Sequence, residues 1–419
     1  MFSSALRSRL FAGGALASFT AYELQQRYGY EAKSESRGLH KTITSVKDNT
    51  RTETWETNER QSGIGYKPWS VRKRTLHGGR QEGSEVIEVD NGVLSFTVIP
   101  TRGMSIGRVD AGKALPLGWS NPVREVVNPA YVDLQDFNGL GWLTGFNEWL
   151  VRCGVAFAGH PGKDNDQLLT LHGRIGNIPA SEVTVDVDAA YPHTIRVRGR
   201  VDEAMFKFAD WELWTEVATE PGSDKLRVHD VLVNKSSYER EYSLIYHTNF
   251  GPPILQPNAT FAAPVKRVMP FNKQAADELE AWQTYRAPTA YYGETVFCVT
   301  PHTDASGRTL VALINADGDR GVSCRYTTNS LPCLSLWKNT DTIEEGYVTG
   351  IEPGTGFPFR RALERERGGV PKLPAGEAVT FSLEWQLLGS AAAVDAAKAE
   401  IASIQRSRPS TVDMNSPMM

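Results

Sequence analysis

The chain has 419 residues, with 45 Lys and Arg against 49 Asp and Glu for a formal charge of −4, and 40% of it is apolar. That balance fits a soluble globular chain long enough for one large β domain, and the lack of a basic stripe sets nucleic acid aside as a partner. Cys153, Cys298, Cys324 and Cys333 form no CxxC pair, so neither a zinc site nor a redox dithiol is signalled, and buried free thiols in a reducing compartment are expected.

Residues 1–22 hold Arg7 and Arg9 among Ser and Ala, and no acid. This is the composition of an organellar transit peptide; a secretory signal or an unaddressed tail are the alternatives. A cytoplasmic or organellar location is favoured over secretion. The apolar run over 10–22 is too short and mixed to cross a membrane, so no integral membrane segment is expected. Residues 31–60 are polar. Residues 1–60 therefore read as a leader and a loosely attached extension.

Residues 61–390 read as one β-sandwich domain. In 86–100 apolar residues alternate around Asp90-Asn91-Gly92, a hairpin signal. Residues 183–187 and 194–201 alternate in the same way. Residues 211–217 and 226–233 flank Glu220-Pro221-Gly222-Ser223, a second hairpin. Similar runs recur at 242–247, 295–300, 309–315, 323–327, 333–338 and 379–388. The pattern predicts an all-β fold, a large antiparallel sandwich with few short helices. One short helix is expected within 273–285. A second, Ala-rich helix is expected over 391–405 with Ser390 as N-cap, packed outside the sandwich, and 406–419 reads as a disordered tail.

Several stretches depart from this rhythm. Arg102 leaves a strand end beside Gly103 and can reach into a cleft or stay on the surface. Trp142, Phe146 and Trp149 lie among small residues in 138–154. Aromatic faces bind the C–H faces of sugar rings, but core packing is the simpler role for most of these three. His172-Gly173-Arg174 puts two donors at one spot. His247-Thr248-Asn249 ends a strand-like run. Imidazole titrates near neutrality, so His247 can give or take a proton, and Asn249 can orient a hydroxyl. Trp337 and Lys338 precede a stretch rich in Gly and Pro, 346–361, whose turn chemistry would present Glu352 at the rim of a sheet.

These motifs, in this order, resemble the galactose mutarotase (aldose 1-epimerase) superfamily, and within it an aldose 1-epimerase-like branch. The resemblance covers residues 85–388. It implies a supersandwich with a sugar cleft on one curved sheet. It makes His172 a substrate-binding residue, with Arg174 beside it, His247 the general acid and Glu352 the general base. Arg102, Asn249, Trp337 and Lys338 are the further candidates for substrate contact. The implied partner is a small sugar, and anomer exchange by ring opening requires no metal or other cofactor. The two catalytic side chains are expected to face each other across the width of one pyranose ring. The flanks of both histidines differ from those of the best-known galactose enzymes, which leaves the sugar open. Arg102, Arg174, Arg360 and Arg361 would suit a phosphosugar if they clustered. Another sugar isomerase or lyase on the same fold, or a carbohydrate-binding protein without turnover, remain alternatives; an acid–base pair is what pure binding does not require.

Overall fold

The computed structural model describes residues 38–112 and 115–418, so the leader expected at residues 1–22 lies outside the described residues. Period-2 patterning builds the structure. In Ile195–Met205, Ile195, Val197 and Val201 enter the core. Arg196, Arg198 and Arg200 turn the other way, toward Asp188, Glu216 and Glu182. A one-residue slip would exchange these faces, so the register is strongly specified.

Among the described residues two large sheets result, one of ten strands and one of thirteen. Their inner faces share one core, with Val71, Ile87, Phe96 and Val98 from the larger sheet against Val183, Val197, Leu213 and Val228 from the smaller. Both expected hairpins are present: Glu85–Asp90 pairs with Leu94–Ile99, and Ala209–Thr219 with Lys225–Asn234. Polar groups also cross this core. Arg152 is fully buried and donates from Nε to Asp230 Oδ2 at 2.5 Å and from Nη2 to Thr215 Oγ1 at 2.5 Å. Tyr246 donates to the same Asp230 at 2.8 Å. Two neighbouring strands of the larger sheet, Leu150–Val155 and Ser243–Phe250, are thereby tied to the smaller one.

The C-terminal helix is Ala391–Gln405, and the Ser390 hydroxyl accepts from Ala393 N at 3.3 Å. Val394, Ala397, Ile401 and Ile404 recur at helical spacing and pack on Leu310, Ala312 and Ile314, on the outer face of the smaller sheet. The helix expected within 273–285 is shorter than that range, Lys273–Asp277 followed by a single turn, Leu279–Ala281. No helix among the described residues is long and apolar enough to cross a membrane.

Both ends of the domain depart from expectation. Leu39–Ser45 pairs with Glu182–Val187, and Trp55–Asn58 with Ser70–Thr75, so the sandwich begins well before residue 61. Nor is 406–418 a loose tail. Thr411–Val412 runs parallel to Val265–Pro270, and Ser416 donates to the Phe271 carbonyl. Backbone pairing, to which apolar content is blind, holds these segments.

Candidate active site

Ser243–Phe250, Val348–Gly354 and Cys333–Asn339 are successive neighbours in the larger sheet. Leu244, Tyr246 and Phe250 face the core, as do Ile351, Leu334 and Leu336. Alternation therefore sends His247 and Asn249, Glu352, and Ser335 and Trp337 to the outer face. Ser335 pairs directly with Glu352. The register that sets Ile245 opposite Gly354 and Thr248 opposite Ile351 sets His247 opposite Glu352. The ladder is interrupted between those pairs, where Pro353 brings no N–H. Glu352 thus belongs to a strand and not to a rim turn, and it is only 2% exposed.

As a cross-strand pair the two side chains meet. His247 Nε2 lies 3.2 Å from Glu352 Oε1. The expected gap of one sugar ring is corrected to direct contact, because opposite positions on adjacent strands leave no room for a ring. Gly350 makes space for this contact. A Cβ there would lie 2.4 Å from Glu352 Oε1 and 3.2 Å from His247 Cε1.

His172 arrives from a turn. Its backbone sits at φ 57, a left-handed conformation uncommon for a non-glycine residue. Its carbonyl accepts from Gly154 N at 3.0 Å, and its N–H donates to Gly159 O at 2.9 Å. The next residue, Gly173, has φ 71, and a Cβ on it would meet Phe157 O at 2.0 Å. The His172 ring stands 5.4 Å from that of His247. Trp142 and Phe146 stack at 4.4 Å and wall both histidines. Trp337 closes the far side, 5.5 Å from His247.

His172 and His247 are 8% and 4% exposed. Burial pushes His247 down to about 3, with the Asn249 side chain acting in the opposite sense. Burial, then the neighbouring His247 and His160, holds His172 well below the usual range. Burial, then the charge of Glu294, raises Glu352 well above the usual carboxylate range. Glu294 is fixed by the Trp337 indole N–H, which donates to it at 2.7 Å. His172 Nδ1, Glu352 Oε1 and Ser335 Oγ are buried without a hydrogen-bond partner. Polar atoms are rarely left so unless a site calls for them. Among the described residues, no group of three or more His, Cys, Asp and Glu could hold a metal ion. The arrangement suits proton transfer to and from a neutral polar ligand held among aromatic faces.

A family model described as a domain of unknown function, DUF4432, matches residues 81–387. The chain belongs to the DUF4432 family. This DUF4432 chain is 42% identical to a Klebsiella pneumoniae protein whose crystal structure is described as that of a "putative aldose 1-epimerase", over 91% of this chain and 100% of that one, with a TM-score of 0.89. A galactose mutarotase-like protein from Clostridium acetobutylicum is 16% identical over 80% of this chain and 98% of its own, with a TM-score of 0.48. An Escherichia coli protein, also titled a "putative aldose 1-epimerase", is 13% identical over 73% and 99%, with a TM-score of 0.48. No curated protein matches the chain. The DUF4432 chain shares its fold, a sandwich of two large, mostly antiparallel sheets, with the Klebsiella protein, and a sandwich is what the strand pattern implied.

The DUF4432 fold brings together His172, His247, Glu352, Asn249 and Trp337, but not the other candidates. Arg102 is fully buried; its Nε donates to Glu148 Oε1 at 2.6 Å and its Nη1 to Asn177 Oδ1 at 2.9 Å. It lies under Gly145, where a Cβ would meet its Nη1 at 2.7 Å, and so braces the turn that carries Phe146. Arg174 points to the smaller sheet, its Nε 3.7 Å from Glu203 Oε1 and its Nη2 3.8 Å from Met205 Sδ. Lys338 follows Trp337 in a strand and so faces the core. It donates to the Thr284 carbonyl at 3.0 Å, stands 4.6 Å over Tyr285, and is pushed down to about 7 by burial. Asn249 keeps its place on the site face, with its amide donating to Glu148 O at 3.0 Å. Arg361 is held by Glu241 and the Ala156 carbonyl, so Arg102, Arg174 and Arg361 do not form an anion cluster. Trp149 is core, edge-on to Phe250 and Trp385. Sequence reasoning passed over Trp119, His160, Glu294 and Ser335. Ser335 alone had a readable signal, two residues before Trp337 on the same strand face.

Proposed function

We propose that this chain is an aldose 1-epimerase that interconverts sugar anomers by ring opening, with His247 and Glu352 as its acid–base pair. The observation that carries this reading is their contact, His247 Nε2 to Glu352 Oε1 at 3.2 Å, inside an aromatic-walled site. Anomer exchange moves protons at two oxygens, the anomeric hydroxyl and the ring oxygen. Both are bonded to the same carbon, so an acid and a base one hydrogen-bond length apart can serve both.

Glu352 takes the anomeric proton while His247 gives its proton to the ring oxygen. The C1–O5 bond opens, C1–C2 rotates, and closure on the other face returns both protons. One proton resides on the pair in every state: on His247 with the cyclic sugar, on Glu352 with the open chain. In the sugar-free site burial lowers His247 and raises Glu352, which puts the pair's proton on Glu352, so binding of the cyclic sugar must move it to His247 before the ring opens. His172 holds a sugar oxygen.

The test is a panel of freshly dissolved α-sugars followed by polarimetry or NMR exchange. With the sugar so found, Glu352→Gln and His247→Asn should each lower turnover by about 10² or more with binding largely kept. His172→Asn should affect binding and turnover together. Wild-type exchange by Glu352→Gln would refute the assignment and favour a carbohydrate-binding protein without turnover.

A further inference from the structure

The outer face of the larger sheet carries a second concavity beside the histidines. Beyond Ser243–Phe250 the sheet continues through Leu150–Val155 and Ser105–Ala111 to Leu94–Ile99, Glu85–Asp90 and Ser70–Thr75. The register keeps track of the face. Val151 is opposite His247, while Leu150 and its partner Ile106 are core. Gly107 therefore faces outward with His247. Thr97 pairs with Glu88 and Arg74 with Val86 on this same face. At Gly107 and Arg108 the pairing with Leu94–Ile99 shifts register, a bulge opposite Thr97 that bends the floor.

These residues floor a groove of about 630 Å³. Trp119 forms its wall and stands 5.2 Å from Phe146 of the candidate site. It is seated there by two glycines, since a Cβ on Gly251 or Gly346 would come within 2.7 Å of it. Its indole nitrogen is buried without a partner. One aromatic side chain thus divides the histidine cluster from the groove.

We infer that the groove is a subsite for a second sugar residue, so that the chain acts on the reducing end of a neutral oligosaccharide. The inference rests on the anomer-exchange reading: the reducing residue lies at His247 and Glu352, and the adjoining residue lies past Trp119. The volume falls within the roughly 300–1,000 Å³ of ligand sites. The lining joins an aromatic side chain to fixed donors and acceptors. Arg74 is paired with Glu88, and Arg108 Nε lies 2.5 Å from Asp110 Oδ2. Each pair sets a donor beside an acceptor, which vicinal hydroxyls match, and Arg124, the third arginine of the lining, adds a further donor.

The experiment compares anomer exchange of maltose, cellobiose and lactose with that of glucose and galactose, together with calorimetric binding of the same sugars. Thr97→Trp fills the groove floor, and Arg108→Ala, an exposed change, serves as the second variant. At least one disaccharide should exceed its own reducing monosaccharide in kcat/KM by about tenfold, and both variants should reduce that advantage while monosaccharide exchange stays unchanged. Exchange of monosaccharides with no disaccharide preferred would overturn the groove but keep the epimerase. Disaccharide binding that neither variant weakens overturns the groove whether or not exchange is seen. Groove-dependent disaccharide binding without any exchange would keep the groove and overturn the epimerase.

Discussion

Glu352→Gln should leave a protein that is slower by about 10² or more yet more stable than wild type at higher pH. The carboxyl is pushed well above 4.5 by burial and by Glu294, so the folded chain holds a proton that the unfolded chain releases. The unfolded state then binds fewer protons than the folded state from pH 4.5 up to the raised folded value. In that window stability falls as pH rises, by about 1.4 kcal/mol per unit for one proton. Glutamine has no proton to lose, so the variant escapes this slope. His172 and His247 remain neutral in the folded state and charge on unfolding below pH 6.5, which lowers stability toward acid in both proteins. That contribution cancels in the difference. The argument holds wherever the shared proton resides, because it counts protons on the pair. The assay is urea unfolding of both proteins at half-unit steps from pH 5 to 8. The gap in unfolding free energy, variant minus wild type, should widen as pH rises above 4.5, approaching a slope of about 1.4 kcal/mol per unit until the raised folded value is passed. A gap constant with pH would show that Glu352 ionises as freely in the folded protein as in the unfolded one, and would refute the electrostatic account of the site.

Two further outcomes are expected. Asp230→Ala leaves the Arg152 guanidinium buried without its carboxylate and should cost about 3–5 kcal/mol in chemical unfolding; a cost under about 1 kcal/mol would mean that the crossing network is not structural. A chain starting at Gly63 loses Leu39–Ser45 and Trp55–Asn58, including the fully buried Ile43, and should express as insoluble or markedly destabilised protein, whereas soluble protein with the full-length melting temperature would restore the view of these residues as an appendage.

What could be read in the sequence follows from how local each signal is. Hairpins announce themselves through alternation on both sides of Asp90-Asn91-Gly92 or of Pro221-Gly222. The last helix does so through four apolar residues at helical spacing behind a serine. Leu39–Ser45 was hidden because it lies near the edge of its sheet and fully buries only one apolar side chain, Ile43. Lys338 was misplaced for a simpler reason: neighbours in a strand take opposite faces, so Trp337 and Lys338 cannot both line one cleft. Arg102 looked like a ligand-reaching arginine because its true partner, Glu148, is remote in sequence and becomes its neighbour only through tertiary folding. Trp119 carried no signal, since a loop has no period and the glycines that seat it lie more than a hundred residues away.

The meeting of His247 and Glu352 across two strands also separates what can vary from what cannot. The pair derives its spacing from sheet register, which insertions in the surrounding loops leave intact. Of the aromatic walls, Trp119, Trp142 and Phe146 come from segments outside the strands, whereas Trp337 sits on the strand that also carries Ser335. On the anomer-exchange reading proposed above, changes confined to those loops would alter which sugar fits while leaving the spacing of His247 and Glu352 intact.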